Sequence, residues 1–430
     1  MIDRRPALIA RCSGVADVIE AVNFARDHAL PVAVRGGGHN VAGLAVCDDG
    51  LMIDLSALKG IHIDPQRHIA RAQPGVLWGE LDRESQLFGL ATPGGFVSTT
   101  GIAGLTLGGG FGWLSRKHGF TVDNLLAVDV VTADGRFLTA SQDEHPDLFW
   151  GVRGGGGNFG VATSFQYQLH PVGPTVMAGL LLYPFDLAAE VLEFYRDFSA
   201  TAPDALGTMA FLRHAPPAPY IPKAMHGQLV VAVVVCYAGS VAEGEAVVRP
   251  LKAFAPQGHP ALVDTISPKP YVVHQAFLDA AVPHGNQYYW KSEYLAGIED
   301  QAIGTILAHV EQLASPHTNV ILFQLGGTIS RVSAAETAAA NRAAAYVLNI
   351  ASAWADPCEA EQHIAWTRTF WSAMRPFASG GVYVNFLSGD EGEARVRTAY
   401  GPNYAQLVAL KNKYDPGNLF HINQNIRPTT

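Results

Sequence analysis

A chain of 430 residues exceeds one comfortable core, so two domains are the default expectation. Hydrophobic residues at 48% against 16% charged exclude a disordered chain. With 29 basic and 38 acidic residues, a net charge of −9 and no basic run, neither nucleic acid nor an anionic membrane is expected as a partner.

Residues 15–30, VADVIEAVNFARDHAL, place Val15, Val18, Ile19, Val22 and Ala25 on one helical face. PVAVRGGGHN (31–40) turns from strand to glycine loop. LMIDLS and IHIDPQRHIARAQPG read as strands, and VLWGELDRESQLFG (76–89) as a helix just after Pro74. LLAVDVVTADGRFLTAS is a hairpin turning at Asp134-Gly135, and VATSFQYQLHP alternates as a half-buried antiparallel strand. Past His170-Pro171 the glycine clusters stop. A helix over 186–202 is followed by long strands (GQLVVAVVVCYAG, TNVILFQLGGTI, GGVYVNFL) separated by helices such as EAEQHIAWTRTFWSAM. This reads as an antiparallel sheet with helices on one face, and the chain as α+β. PNYAQLVALKNKYDPGNLF closes as a helix with an Asp-Pro-Gly turn. Cys12, Cys47, Cys236 and Cys358 form no CxxC, and each reads as a small buried apolar residue. MIDRRPALIARCSG lacks the apolar core of a signal peptide, and no stretch reaches the ~20 apolar residues of a membrane helix. A cytoplasmic location is the plain expectation.

Three glycine clusters carry the functional reading: Arg35 to Asn40, Pro93 through Gly101 and Gly104 to Gly112, and Arg153 to Gly160. Clustered glycine persists where a backbone must take φ > 0 or approach something closely. Strings of exposed backbone N–H groups make concavities for phosphate. Three within ~170 residues suggest a ligand with a long contact surface and a pyrophosphate. Gly155-Gly-Gly157-Asn-Phe-Gly160 matches G-x-G-x-x-G, but a strand rather than a helix follows it, and residues 171–185 hold no acid. The dinucleotide fingerprint therefore fails on context, and with it a nicotinamide-dependent reductase.

R-G-G-G-H-N at 35–40, S-T-T-G-I-A-G-L-T-L-G-G-G-F-G-W-L-S-R-K-H-G at 98–119 and D-L-F-W-G-V-R-G-G-G-G-N-F-G-V at 147–161 resemble the berberine-bridge-enzyme-like flavoproteins of the vanillyl-alcohol-oxidase/PCMH fold. Lys291-Ser-Glu-Tyr294, Tyr383-Val-Asn-Phe386, Tyr400-Gly-Pro-Asn-Tyr404, Lys413 to Pro416 and Asn423 to Ile426 extend the resemblance along the whole chain. It implies a PCMH-type FAD-binding domain over 1–172, completed by 393–430, and a substrate domain over 173–392 lying on the flavin. It implies FAD joined to His39 through the flavin 8α-methyl. Around the cofactor it places Arg35, Gly36, Gly37, Gly38, Asn40, Gly95, Thr99, Thr100, Gly101, Gly104, Gly110, Gly157, Asn158, Gly160, Val161, Asn423 and Asn425, with His118 and Asn124 shaping the site. Val97 stands where relatives carry a second attaching cysteine, which implies single attachment. Thr100 stands where relatives carry a small apolar or branched residue linked to oxygen access, which leaves both oxidase and dehydrogenase open. Relatives also have a few tens of residues ahead of the segment that starts here at Met1.

The implied reaction is oxidation of an alcohol, amine or sugar C–H bond by hydride transfer to flavin N5, with O2 as acceptor. The alternative is a flavin-binding protein without turnover. Tyr383 is the first choice of base, on a strand with Asn385 on the same side and Lys291 as a neighbouring cation. Glu293 and Gln324 are expected to face the same pocket, and His284 is a further candidate. Tyr288, Tyr289, Trp290, Tyr294, Tyr383 and Phe386 give the pocket strands flat aromatic walls that suit a sugar face and a planar heterocycle equally. The 26 prolines and many apolar aromatics tilt the expectation toward a secondary-metabolite or aromatic substrate. No metal motif occurs. A small molecule is the expected partner, and the protein is expected to be a monomer or homodimer.

Overall fold

The computed structural model describes residues 1–429. Its first layer is built around three small sheets. Leu8–Arg11, Leu51–Asp54 and Val32–Arg35 form a parallel trio with Leu51–Asp54 in the centre. Helix Val15–Asp27 covers it, burying Val18, Ala21, Val22 and Ala25, the stripe expected of a period of 3.6. That helix stops where Ala29 takes a left-handed φ of 53°. A five-stranded antiparallel sheet follows, in the order Ile61–Asp64, Ile69–Ala72, Val161–Gln168, Leu125–Val131, Phe137–Ser141. The short strands Leu90–Ala91 and His170–Pro171 pair with each other.

The second layer is one eight-stranded antiparallel sheet. Its long strands run in the order Thr175–Pro184, Leu229–Tyr237, Leu206–His214, Asn319–Gln324, Tyr346–Trp354 and, at one edge, Gln287–Leu295. Helices Ala188–Thr201, Val241–Ala253, Asp300–Val310 and Ala360–Met374 pack on one face of it, as the alternation of apolar strands and amphipathic helices suggests. The other face packs on Phe111, Trp113, Leu114, Phe120 and Val122 of the second glycine segment. Burying a side chain of this size contributes about 1.5–3 kcal/mol, so the two layers are held together by apolar contact at the place where the glycine loops end.

The chain then returns to the first layer. Val382, Leu387, Val396, Tyr400, Leu407, Tyr414 and Ile426 share a core with Trp78, Phe159 and Phe165. The return begins at Val382, ahead of residue 393. Fully buried Lys411 fastens it: its Nζ donates to Asp415 Oδ2 (2.6 Å), Asn158 O (2.9 Å) and Phe420 O (2.9 Å).

Two local expectations are corrected. GGVYVNFL is not a strand: Gly380 has a φ of +97°, and a 3-10 turn over Val384–Phe386 replaces alternation. Cys358 is exposed, whereas Cys12, Cys47 and Cys236 are buried.

Candidate active site

The glycine loops, the inner face of the large sheet and the returning tail enclose one cavity of ≈ 310 Å³. The first two loops meet backbone to backbone. A Cβ on Gly37 would lie 2.4 Å from Gly101 Cα, and one on Gly36 would lie 2.7 Å from Pro74 O. Only glycine permits that approach. What it leaves is a run of backbone N–H groups, from Gly36 to Asn40, that donate to no backbone acceptor. The N–H groups of Gly157, Asn158, Phe159 and Gly160 are likewise free of backbone partners. Such concavities of unpaired N–H groups hold phosphate oxygens.

The residues present fit a flavin dinucleotide. Gly104 and Gly157 line the cavity with nothing within 4 Å of where a Cβ would stand, so both open on space that a ligand fills. Asn423 lines it too, with its Oδ1 buried and unpartnered. His39 projects from the first loop just after Gly38, which holds a φ of +71°. Its ring is accessible because it borders the cavity, yet the surrounding protein, and secondarily His284, push its pKa below the usual histidine range. A neutral imidazole with a free nitrogen results. Gly95, Thr100, Gly101, Asn40, Asn158, Gly160 and Val161 complete the lining on this side, and Val97 lies among them. Asn158 also clasps the tail, its Oδ1 accepting from Ile426 N–H at 2.9 Å and its Nδ2 donating to Gly155 O at 2.8 Å.

Tyr383 stands where the layers meet. Gly109 and Gly110, with φ of +113° and +75°, turn the second loop so that Gly110 N–H donates to the Tyr383 oxygen at 3.1 Å. Asn385 Nδ2 donates to the same oxygen at 2.8 Å and to Leu105 O at 3.1 Å. Burial raises the Tyr383 phenol to about 12, and the two donors pull the other way. The hydroxyl therefore keeps its proton at neutral pH while its oxygen sits in a site built to receive negative charge.

Several expected residues lie elsewhere. Lys291 and Glu293 alternate onto the sheet face covered by helix Ala360–Met374. Lys291 pairs there with Asp390 (3.0 Å) and Glu391 (2.7 Å), and Glu293 with Arg395 (2.8 Å) and Trp371 Nε1 (2.8 Å). Gln324 faces the same way and accepts from Thr208 Oγ1 at 2.7 Å. Glu293 and Gln324, expected to face the pocket, and Lys291 are held on the opposite face by these partners. His118 stacks on His170 at 3.9 Å, and Asn124 Nδ2 donates to the carbonyls of His118 and Phe120; neither lines the cavity. Arg35, Thr99 and Asn425 also fall outside the lining, and Gly110 acts through its N–H to Tyr383. His284 does not line the cavity and enters only as a secondary cause of the lowered His39 pKa. Tyr288, Tyr289 and Tyr294 do not border the cavity, whereas Trp290, Tyr383 and Phe386 do.

The sequence reading missed Phe211, Ile321, Phe323, Asn349 and Ala351, which make the wall opposite the glycine loops, and Phe96 and Phe111, which the second loop itself adds to the lining. Phe96 stacks on Phe323 (4.8 Å), and Phe111 meets Tyr383 edge-on (4.8 Å). Period-two alternation in NVILFQ separates Ile321 and Phe323 from Gln324 and was the signal available. Among the described residues, no Asp, Glu, Lys or Arg side chain lines the cavity.

Two family profiles match the chain: the FAD binding domain over residues 6–141 and the berberine and berberine-like domain over 382–427. An FAD-linked oxidoreductase of Dictyostelium discoideum is 32% identical over 425 residues, covering 98% of this chain and 89% of the relative. The crystal structure of 6-hydroxy-D-nicotine oxidase from Arthrobacter nicotinovorans superposes with a TM-score of 0.85 at 28% identity, over 98% of this chain and 92% of that one. A berberine-bridge-enzyme-like protein of Arabidopsis thaliana shares the fold, with a TM-score of 0.86 at 24% identity over 98% and 92% of the two chains.

Proposed function

The chain belongs to the berberine-bridge-enzyme-like FAD-linked oxidoreductases, and from that premise we propose that it oxidises a C–H bond of an alcohol, amine or sugar with its FAD carried covalently on His39 and O2 as the acceptor. The bound flavin supplies a hydride acceptor at N5. Everything else is the work of this chain's residues. The unpaired N–H groups of Gly36 to Asn40 and Gly157 to Gly160 hold the pyrophosphate, and Gly104 and Asn423 border the rest of the cofactor. The observation that carries the reading is the His39 ring: it opens on the cavity beside the N–H run and is held neutral, which leaves a nitrogen lone pair for the bond. Val97 offers no second attachment, so the linkage is single.

Tyr383 is the base for the substrate O–H or N–H proton. Gly110 N–H and Asn385 Nδ2 stabilise the phenolate that base action needs, and they take the place of the cation expected at Lys291. Thr100 borders the cavity next to Gly101, on the path expected for oxygen.

The test is acid precipitation of the purified protein followed by visible spectra of pellet and supernatant. Flavin colour stays in the pellet of the parent protein and moves to the supernatant in His39→Ala. Colour retained in the His39→Ala pellet would assign the bond to another residue.

A further inference from the structure

Two buried polar groups on the inner face of the large sheet have no partner in the protein. Asn349 is 2% exposed and its Oδ1 accepts nothing; Trp290 Nε1 is buried and donates to nothing. Both residues line the cavity. They sit close together by register. Asn349 lies opposite Ser292, and Trp290 opposite Ala351, on the paired strands Gln287–Leu295 and Tyr346–Trp354. Asn349 and Trp290 are thus diagonal neighbours on one face, with Cβ atoms roughly 7–8 Å apart in such an arrangement, within reach of one small ring. Phe211, Ile321 and Asn349 form one row across three strands, so Asn349 interrupts a wall that is otherwise hydrocarbon. A buried carbonyl or indole N–H without a partner is unfavourable, and a sheet face that keeps both is shaped for a ligand that satisfies them.

Resting on the flavin oxidoreductase reading, we propose that Asn349 and Trp290 are the specificity residues of the substrate site. The substrate they select is a neutral, flat, largely apolar molecule with one polar edge. That edge donates a hydrogen bond to Asn349 Oδ1 and accepts one from Trp290 Nε1, as a phenolic hydroxyl does. Phe96, Phe323 and Phe386 supply the flat faces that such a ring packs against. A sugar is rejected because its many hydroxyls would meet Phe211, Ile321 and Ala351 with nothing to bond. A carboxylate or ammonium substrate is rejected because, among the described residues, no charged side chain borders the cavity to pair with it.

Calorimetric titration of the protein as isolated, with 4-hydroxybenzyl alcohol, 4-methylbenzyl alcohol and D-glucose as probes, decides the matter. The hydroxylated ring binds about tenfold tighter than its methyl analogue, the worth of one well-made buried hydrogen bond, and glucose does not bind. In Asn349→Leu the ratio falls severalfold while the methyl analogue keeps its affinity. Asn349→Leu removes an unpaired amide, so its thermal midpoint should not fall. Trp290→Phe keeps a ring edge-on to Phe386, lacks the N–H, and should reduce the same ratio independently. Glucose binding as well as the aromatic alcohols, no binding of either aromatic alcohol, or a ratio that survives both substitutions overturns the proposal. Heat of binding needs neither flavin nor turnover. A preparation without flavin therefore refutes the oxidoreductase reading, while the ratio still decides this one.

Discussion

Replacing Tyr383 by phenylalanine keeps the ring against Phe111 and Phe386 and removes one oxygen with three roles. That oxygen accepts from Gly110 N–H at 3.1 Å and from Asn385 Nδ2 at 2.8 Å, and its own proton remains to serve a ligand. Asn385 retains its bond to Leu105 O, but Gly110 N–H is left buried and unpaired. The expected loss of stability is about 1–3 kcal/mol. The expected loss of rate is about 10²-fold or more, the usual worth of a positioned general base. Because burial raises the phenol to about 12, the phenolate fraction in the parent grows about tenfold per pH unit through the whole working range. Flavin reduction should therefore accelerate with pH in the parent and lose that dependence in Tyr383→Phe. Anaerobic stopped-flow bleaching of the flavin band from pH 7 to 9.5, with a saturating reductant substrate, measures both quantities. An unchanged rate and slope in Tyr383→Phe would remove Tyr383 from the proton path altogether.

Gly37→Ala drives a Cβ to 2.4 Å from Gly101 Cα and should lower the thermal midpoint by the equivalent of about 1–3 kcal/mol. Gly104→Ala meets only open space, so it should fold normally yet lower the flavin bound per chain; equal effects of the two on the midpoint would contradict the geometry. His274, 1% exposed with both ring nitrogens unpaired, has its pKa pushed down to about 3 by burial and then by Lys269. Between the unfolded value near ~6.5 and about 3, the unfolded chain binds a proton that the native state refuses, so stability falls with falling pH by about 1.4 kcal/mol per unit. His274→Phe should flatten urea-derived stability between pH 6.5 and 4.5 by that slope, and an identical slope would show His274 already protonated in the fold. Lys411→Met strands the buried Asp415 carboxylate and should cost about 3–5 kcal/mol, read by chemical denaturation; a near-neutral result would mean that water reaches Asp415.

The flavin side of the site was legible because glycine is conspicuous: Gly36, Gly37 and Gly101 are needed where backbones touch, Gly104 where the wall must stay open, and clusters of glycine show in the sequence itself. The α+β class and an antiparallel sheet covered by helices on one face followed from periodicity; the number of strands did not. The substrate side was not legible in that way. Whether Lys291 or Trp290 faces inward depends on which sheet face the helices cover, and Lys291 was misplaced because Asp390 and Glu391, a hundred residues away, claim it. Asn349 was invisible among Val347, Leu348 and Ile350 because only an empty hydrogen-bonding position distinguishes it. Tyr383 and Asn385 were named correctly as neighbours, but alternation along a strand was the wrong reason. A 3-10 turn and the loop at Gly110 bring them together, and neither has a periodic signature.

The clasp between Asn158, Lys411 and the tail also sets an order of events. Residues 36–40 and 157–160 leave the ribosome early, yet Asn423 and the Ile426 N–H that Asn158 receives arrive at the far end of the chain. Domains generally form as their segments emerge, but one wall of this cradle, the Ile426 segment clasped by Asn158, is translated 268 residues after the loop it closes. A nascent chain halted before the tail would have its phosphate-facing loops in place with one side standing open. The proposed cofactor cradle is therefore complete only once residues 423–426 have joined it.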